Sequence, residues 1–479
     1  MILTLILTPL IASLMLFATK GVEARSFALG ASLVQLALTV FFAAGFVADG
    51  SFNFLVDYAW LPTLGSSFRL GMDGIGLLML LLTNGLIPLI IWSSFDWRFD
   101  RPNVFYGLVL LMQMGLVGTF LALDGLLFYV FWEVTLVPIY FICGFWGGEG
   151  RARITLKFFI YTFLGSLFML LGLIYVYLHT PDSSFALESL YAANLPSGSH
   201  GWVFLAIFLA FAVKIPIFPF HTWQPDTYTN APTVGTMLLS GIMLKMGLYG
   251  LIRWCVPMVP EVTAYGSLWA IGLASVGVVY AAVIAVQQDD LKRMIAYASM
   301  SHVGLIAAGI LSSNMIGLQG GLVQMLSHGI NAVGMFYVAD ILERRLGTRS
   351  LSAMGGIAKI APVFAVLYMV VMLGTVAVPL TNGFVGELLL LQGIYQVSGW
   401  VAAFAGLTVI FCAVYMLRSY QLSMFGEVNA LSGTFVDLST RERVILGILV
   451  AAILFFGVYP QPLMYLTEQS SLNMLHQLR

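Results

Sequence analysis

WVFLAIFLAFAVKIPIFPFHTW, residues 202–223, and VGTMLLSGIMLKMGLYGLIRW, residues 234–254, decide how the rest of the chain is read. Both are apolar enough to cross a bilayer, and each holds one lysine, Lys214 or Lys245, where a bilayer would have its middle. A charge at the centre of a spanning helix costs roughly 2.5–3.5 kcal/mol on insertion scales, so such a residue marks a pathway and needs a partner. Lysine is also the basic side chain whose proton affinity moves most on burial, which suits it to taking up and releasing protons. Pro216 and Pro219 follow Lys214 and remove backbone donors, and membranes tolerate that gap only where protein or water lines it. A broken helix with a lysine at the break is a transport element.

The surrounding composition agrees. The 479 residues are 60% apolar and 9% charged, with a mean hydropathy of +0.95, which excludes the soluble globular classes and implies a polytopic membrane protein. No Lys/Arg block suggests nucleic acid. The first apolar run, ILTLILTPLIASLMLFATK, lacks a basic segment before it and is expected as a retained span rather than a signal sequence. Cys143, Cys255 and Cys412 stand alone without CxxC spacing, so neither an iron–sulfur ligand set nor a disulfide framework is supported, and they are expected as buried filling.

Stretches of about 20 apolar residues predict helical spans at 2–19, 27–48, 74–94, 104–122, 125–146, 155–178, 202–222, 234–254, 263–286, 294–312, 316–341, 362–398, 401–424 and 443–466. The predicted fold is therefore an all-α polytopic membrane protein of about 14 spans. The stretch 362–398 would make a rod of about 55 Å against a hydrocarbon core of about 30 Å, so it must be interrupted, and VPLTNGFVGE at 378–387 is its only punctuation. Loops after odd-numbered spans carry 15 of the 21 Lys and Arg residues, Lys20 among them, which predicts those loops on the cytoplasmic side and both termini outside. Arg69, Arg253 and Arg479 run against this bias.

Spans four to eight and nine to thirteen form two five-helix units, 104–255 and 263–424, each with one Pro/Gly-broken helix. Five is odd, so the second unit is expected to be inverted, and paired breaks in inverted halves point to a transport site. Residues 1–100 form a three-helix segment ahead of them, and 425–479 supply a last helix. Span ten has no carboxylate answering Glu133, so the match is incomplete.

Glu133 lies inside an apolar helix and needs a partner, for which Lys214 is the obvious choice. A static salt bridge is the plain alternative. Glu387 follows the second break. Lys214 and Lys245 sit too far from either helix end to snorkel comfortably. His302 and His328 lie within spans ten and eleven and His221 closes span seven; each reads as a packing residue or as a proton relay near neutral pH. Only 302 and 328 could pair on a haem, and a haem reading wants more. Asp289, Asp290, Lys292 and Arg293 are expected as surface charges at a helix start. No GxGxxG or Walker-type loop occurs, so no cofactor is expected in this chain.

The run KIPIFPFHTWQPDTYTNAPTVGTMLLSGIMLKMGLYG at 214–250, with QQDDLKRMIAYASMSHVG and NGFVGELLLL, resembles the antiporter-like membrane subunits of respiratory complex I, NADH:quinone oxidoreductase, over nearly the whole length. The chain stops about a dozen residues after span fourteen, without the lateral helix of the L-type subunits. It also carries Glu387 where L- and N-type chains usually have lysine. The resemblance implies a controlling pair of Glu133 and Lys214, a central proton carrier in Lys245, an exit group in Glu387, and His302 and His328 between them. It implies a proton-translocating subunit that is not itself redox-active. FMN, iron–sulfur clusters and quinone are expected in partner subunits, L-type and N-type chains among the neighbours, and the bacterial inner membrane as location. Gln224, Tyr228 and Asn230 depart from the family pattern in what is expected to be a loop. Two rivals are a subunit of a multi-subunit cation/proton antiporter or membrane-bound hydrogenase, and a structural anchor, which has no use for four buried charges.

Overall fold

The computed structural model describes residues 1–19, 23–265 and 267–478; Lys20 and Arg479, both weighed for orientation, lie outside them. Among the described residues ten helices are long and apolar enough to cross a membrane, or eleven if Thr440–Val458 and Gln461–His476, bent by 67°, count as one. Three shorter apolar helices, Thr4–Ala18, His200–Lys214 and Pro362–Val376, occupy the places of the first, seventh and twelfth expected spans.

Two of these are short because the chain leaves the helix inside the protein. After Lys214 the prolines end the hydrogen-bond ladder; Ile217 N turns back to Ala212 O at 2.8 Å, and the indole of Trp223 donates to Val213 O at 2.9 Å. The orphaned carbonyls at the end of the helix thereby find donors. After Val376, Ala377 and Leu380 adopt positive φ of 62° and 74°, and a second helix starts at Asn382. Gly383 permits the two halves to meet: a Cβ there would sit 2.5 Å from Gly374 O.

Two features differ from expectation. Asn53–Leu61 and Ser66–Met72 pair as an antiparallel hairpin, because a search for apolar spans passes over short alternating segments. Gln224–Asn230 is a short helix rather than a loop, with Gln224 and Tyr228 buried and the Gln224 amide donating to Ala296 O at 3.1 Å.

The core lies along Thr233–Cys255, Leu291–Leu311 and Met315–Leu346, almost wholly enclosed, whereas Ala24–Ala44, Arg151–Tyr177 and Gly399–Met424 turn most of their apolar surface outwards. That division is what a bilayer imposes, since lipid is as good a solvent for leucine as the protein interior. The two most enclosed helices cross at glycines. A Cβ on Gly329 would lie 2.8 Å from Gly241 O, so the crossing is a backbone-to-backbone contact.

Candidate functional site: a buried lysine–histidine–glutamate row

The glycine crossing sets the centre of the site, because His328 precedes Gly329 and Lys245 lies one turn from Gly241. Over Leu239–Met243 the helix widens into a π turn, a distortion that frequently accompanies function. The ammonium of Lys245, fully buried, donates to the carbonyl of Ser240 at 2.6 Å and lies 2.7 Å from His328 Nδ1. Neither lysine snorkels: Lys214 is also buried. Ser240 Oγ in turn meets Ser299 Oγ at 3.1 Å.

His302 stands beside His328 with ring centroids 6.1 Å apart, too wide for the rings to share one hydrogen bond. A cavity of about 20 Å³ lies along this gap, lined by Ser299, Gln324, Asn331 and Thr375 as well as both histidines, and that volume accommodates about one water molecule. On its far side His302 Nδ1 is 2.9 Å from Glu387 Oε1. The ring N–H is not aimed along that line, so the contact is one of charge more than a linear hydrogen bond. Gln324 donates to the same carboxylate oxygen at 3.4 Å. Lys245, His328, His302 and Glu387 thus form one row across four helices.

Glu133 and Lys214 are placed differently. The Lys214 ammonium lies 5.1 Å from the centroid of the Trp132 ring, and Glu133, half-buried, leaves Oε1 without a hydrogen-bond partner. The two are not in ion-pair contact, contrary to the direct pair expected. Trp132 and Glu133 are successive helical residues and point about 100° apart; the lysine faces the ring rather than the carboxylate. His221, the other histidine weighed, is stacked on Phe218 and packed against Tyr280 outside the row.

At the basic-rich end a cavity of about 650 Å³ opens among Asp226, Lys292, Arg293, Glu343 and Arg349. Asp290 caps the helix Leu291–Leu311 as expected, accepting from Arg293 N. Lys292, however, is buried rather than on the surface, donating to Ala231 O at 2.6 Å where the chain before Thr233 crosses it. Asp289, in the preceding turn, takes a hydrogen bond from the Ser350 hydroxyl that holds its carboxyl below the usual range. Nearby, Arg344 joins Asp340, Glu442 and Asp96 at 2.8, 3.0 and 3.1 Å, and Arg345 reaches Glu442 at 2.6 Å.

The residues that sequence reasoning missed are mostly neutral or paired. Gln324, Ser240 and Ser299 belong to the row's lining; polar side chains in apolar spans were the available signal. Thr39, Asn84 and Gln113 form a second buried polar ladder, linked at 2.8 Å at each step. Two arginines that run against the charge bias are neutralised: Arg253 pairs with buried Asp73, and Arg69 grips Glu188 at 2.8 and 3.1 Å.

Residues 122–412 match the family model described as NADH:quinone oxidoreductase/Mrp antiporter, TM. NADH-quinone oxidoreductase subunit M of Rickettsia conorii is 38% identical over 96% of this chain and 93% of its own. F(420)H(2) dehydrogenase subunit M of Methanosarcina mazei is 37% identical over 96% and 95% respectively. A chain in the structure of respiratory complex I from Thermus thermophilus with bound NADH superposes with a TM-score of 0.93 over 100% of both chains at 31% identity. The buried charges thus sit in a fold shared along its full length, and the chain belongs to the family of NADH:quinone oxidoreductase and Mrp antiporter membrane subunits.

Proposed function

We propose that this chain is the proton-translocating M-type membrane subunit of an NADH:quinone oxidoreductase, driven by quinone reduction elsewhere in the complex. The observation that carries the proposal is the row of titratable groups itself: Lys245 against His328 at 2.7 Å and His302 against Glu387 at 2.9 Å, buried together. Buried ionisable groups inside a bilayer cost too much to be retained as decoration.

In this scheme Lys245 passes a proton from Nζ to His328 Nδ1. The proton crosses the polar gap to His302 and reaches Glu387, the exit-side carboxylate. Glu133 and Lys214 act as the control: with the two apart, Lys214 is not held in its charged form by a carboxylate, and their approach would favour both charges. The Trp132 face gives the ammonium an intermediate resting place, since a cation over an aromatic ring is stabilised without a counter-ion. The two five-helix units, 104–255 and 263–424, would place this machinery in inverted halves with both termini outside the bacterial inner membrane. L- and N-type chains would be its neighbours, and FMN, iron–sulfur clusters and quinone would reside in other subunits.

The test is native purification followed by reconstitution. A complex with flavin, iron–sulfur proteins and NADH-driven quinone reduction and proton uptake supports the proposal. A complex free of redox cofactors that exchanges cations for protons would replace it with the antiporter reading.

A further inference from the structure

The last hydrogen-bonding atom at His302 belongs to a cysteine that composition marks only as filling. Cys412, buried in the helix Gly399–Met424, places its sulfur 3.5 Å from His302 Nε2 and 3.5 Å from the carbonyl of Thr375. Thr375 lies in the last turn of Pro362–Val376, immediately before the second break. Carbonyls of a last helical turn lack intrahelical donors, and here three of them find donors of their own. Val378 N bonds Leu373 O, Ala377 N and the Asn331 amide bond Gly374 O, and the Cys412 thiol serves Thr375 O.

We propose that Cys412 is a positioning residue whose single S–H proton alternates between His302 Nε2 and Thr375 O, so that the protonation of His302 sets how firmly the end of the broken helix is held. This deepens the proton-transfer reading above and rests on it. When His302 carries one proton, on the Nδ1 that lies beside Glu387, its Nε2 is an acceptor and competes with Thr375 for the thiol. When His302 carries two, Nε2–H donates to sulfur and the S–H has only Thr375 O to bond. No bond to sulfur is made or broken; the thiol rotates. The groups facing His302 are Glu387 from the second half-helix, His328 from Met315–Leu346 and Cys412 itself. The buried Tyr415 hydroxyl, one turn from Cys412, is a further neighbour of the thiol and of Glu387.

The experiment uses the assembled complex in vesicles. The S–H stretching band of Cys412, isolated as the difference between complexes with and without Cys412→Ala, is followed by infrared spectroscopy across a pH titration. The expected result is a band that shifts with a single protonation step and stays fixed in the His302→Gln complex. Cys412→Ser, which retains one donor and two lone pairs, should keep pumping near the normal rate. Cys412→Val should slow it about three- to tenfold, the size of one hydrogen bond, and move its pH profile. A band indifferent to pH, or a Cys412→Val complex with unchanged rate and profile, overturns the inference. If His302→Gln itself pumps normally, the proton-transfer reading fails first, and the two failures are told apart.

Discussion

The two broken helices solve one problem in different ways. At the first, the chain leaves the helix for residues 215–223 and its lysine rests on an aromatic ring 5.1 Å away, with Glu133 Oε1 left without a hydrogen-bond partner. At the second, only residues 377–381 separate the half-helices, and Glu387 is held against His302 at 2.9 Å. A charge in an apolar interior must be compensated. The first site compensates by a ring and leaves its opposite charges free to meet, while the second has already brought them together. Slack therefore lies in the Glu133–Lys214 half and rigidity in the Glu387 half.

In the proposed scheme both halves depend on Lys245, so its removal should have the largest effect: Lys245→Ala is expected to cut the proton-pumping rate on the order of 10²-fold or more, the worth of a positioned proton carrier. An assembled variant that pumps normally in vesicles would dissolve the row and the comparison with it. Next comes Glu387→Ala, with a loss of about tenfold or more, while Glu387→Asp should retain activity. Equal rates for the two would remove the carboxylate from the route. Rigidity at the second break is probed by stability: Gly383→Ala should destabilise the chain by about 1–3 kcal/mol through overpacking against backbone. Gly247→Ala should cost less, because the Cβ would meet a side chain, Ile215 Cγ1 at 2.7 Å, rather than a backbone carbonyl. Melting curves of the purified complexes should rank the two in that order, and the reverse order would mean that the first break is the tighter. The smallest effect is expected for Trp132→Leu, which removes a cation–π contact of about 0.5–2 kcal/mol and frees Lys214 to approach Glu133. Coupled turnover should change a few-fold, with a shift of the Glu133 carboxylate band in the infrared; an unmoved band would show that the ring is not what keeps the two charges apart.

Much of this was legible in the sequence because membrane physics leaves strong marks. Lys214, Lys245, Glu133 and Glu387 stood out because charge in an apolar helix is rare, and both breaks were announced by proline or glycine. The relation between Glu133 and Lys214 was not legible. It depends on a rotation of about 100° between successive helical residues and on which of them the neighbouring helix faces. Lys292 was misplaced for a similar reason: a lysine in a charged cluster reads as surface until the strand of chain that covers it is seen. The hairpin at 53–72 and the role of Gly241 and Gly329 escaped because neither strand alternation nor close backbone approach registers in a count of apolar residues.

The tie between Arg345 and Glu442 spans 97 positions, and this has a consequence for how the molecule is made. During synthesis Arg344 and Arg345 leave the ribosome well before Glu442; until then Arg344 has Asp96 and Asp340 to answer it, whereas the carboxylate that pairs with Arg345 is still to come. The charge of Arg345 is thus available to the insertion machinery while the orientation of Met315–Leu346 is being decided, and is cancelled only when Thr440–Val458 arrives. On the proposed orientation, signal and structural cement would be the same arginine at different times. A nascent chain halted before residue 440 should accordingly insert in the same orientation as the finished one, as labelling of single cysteines from each side of the membrane would report, while remaining the more easily degraded of the two.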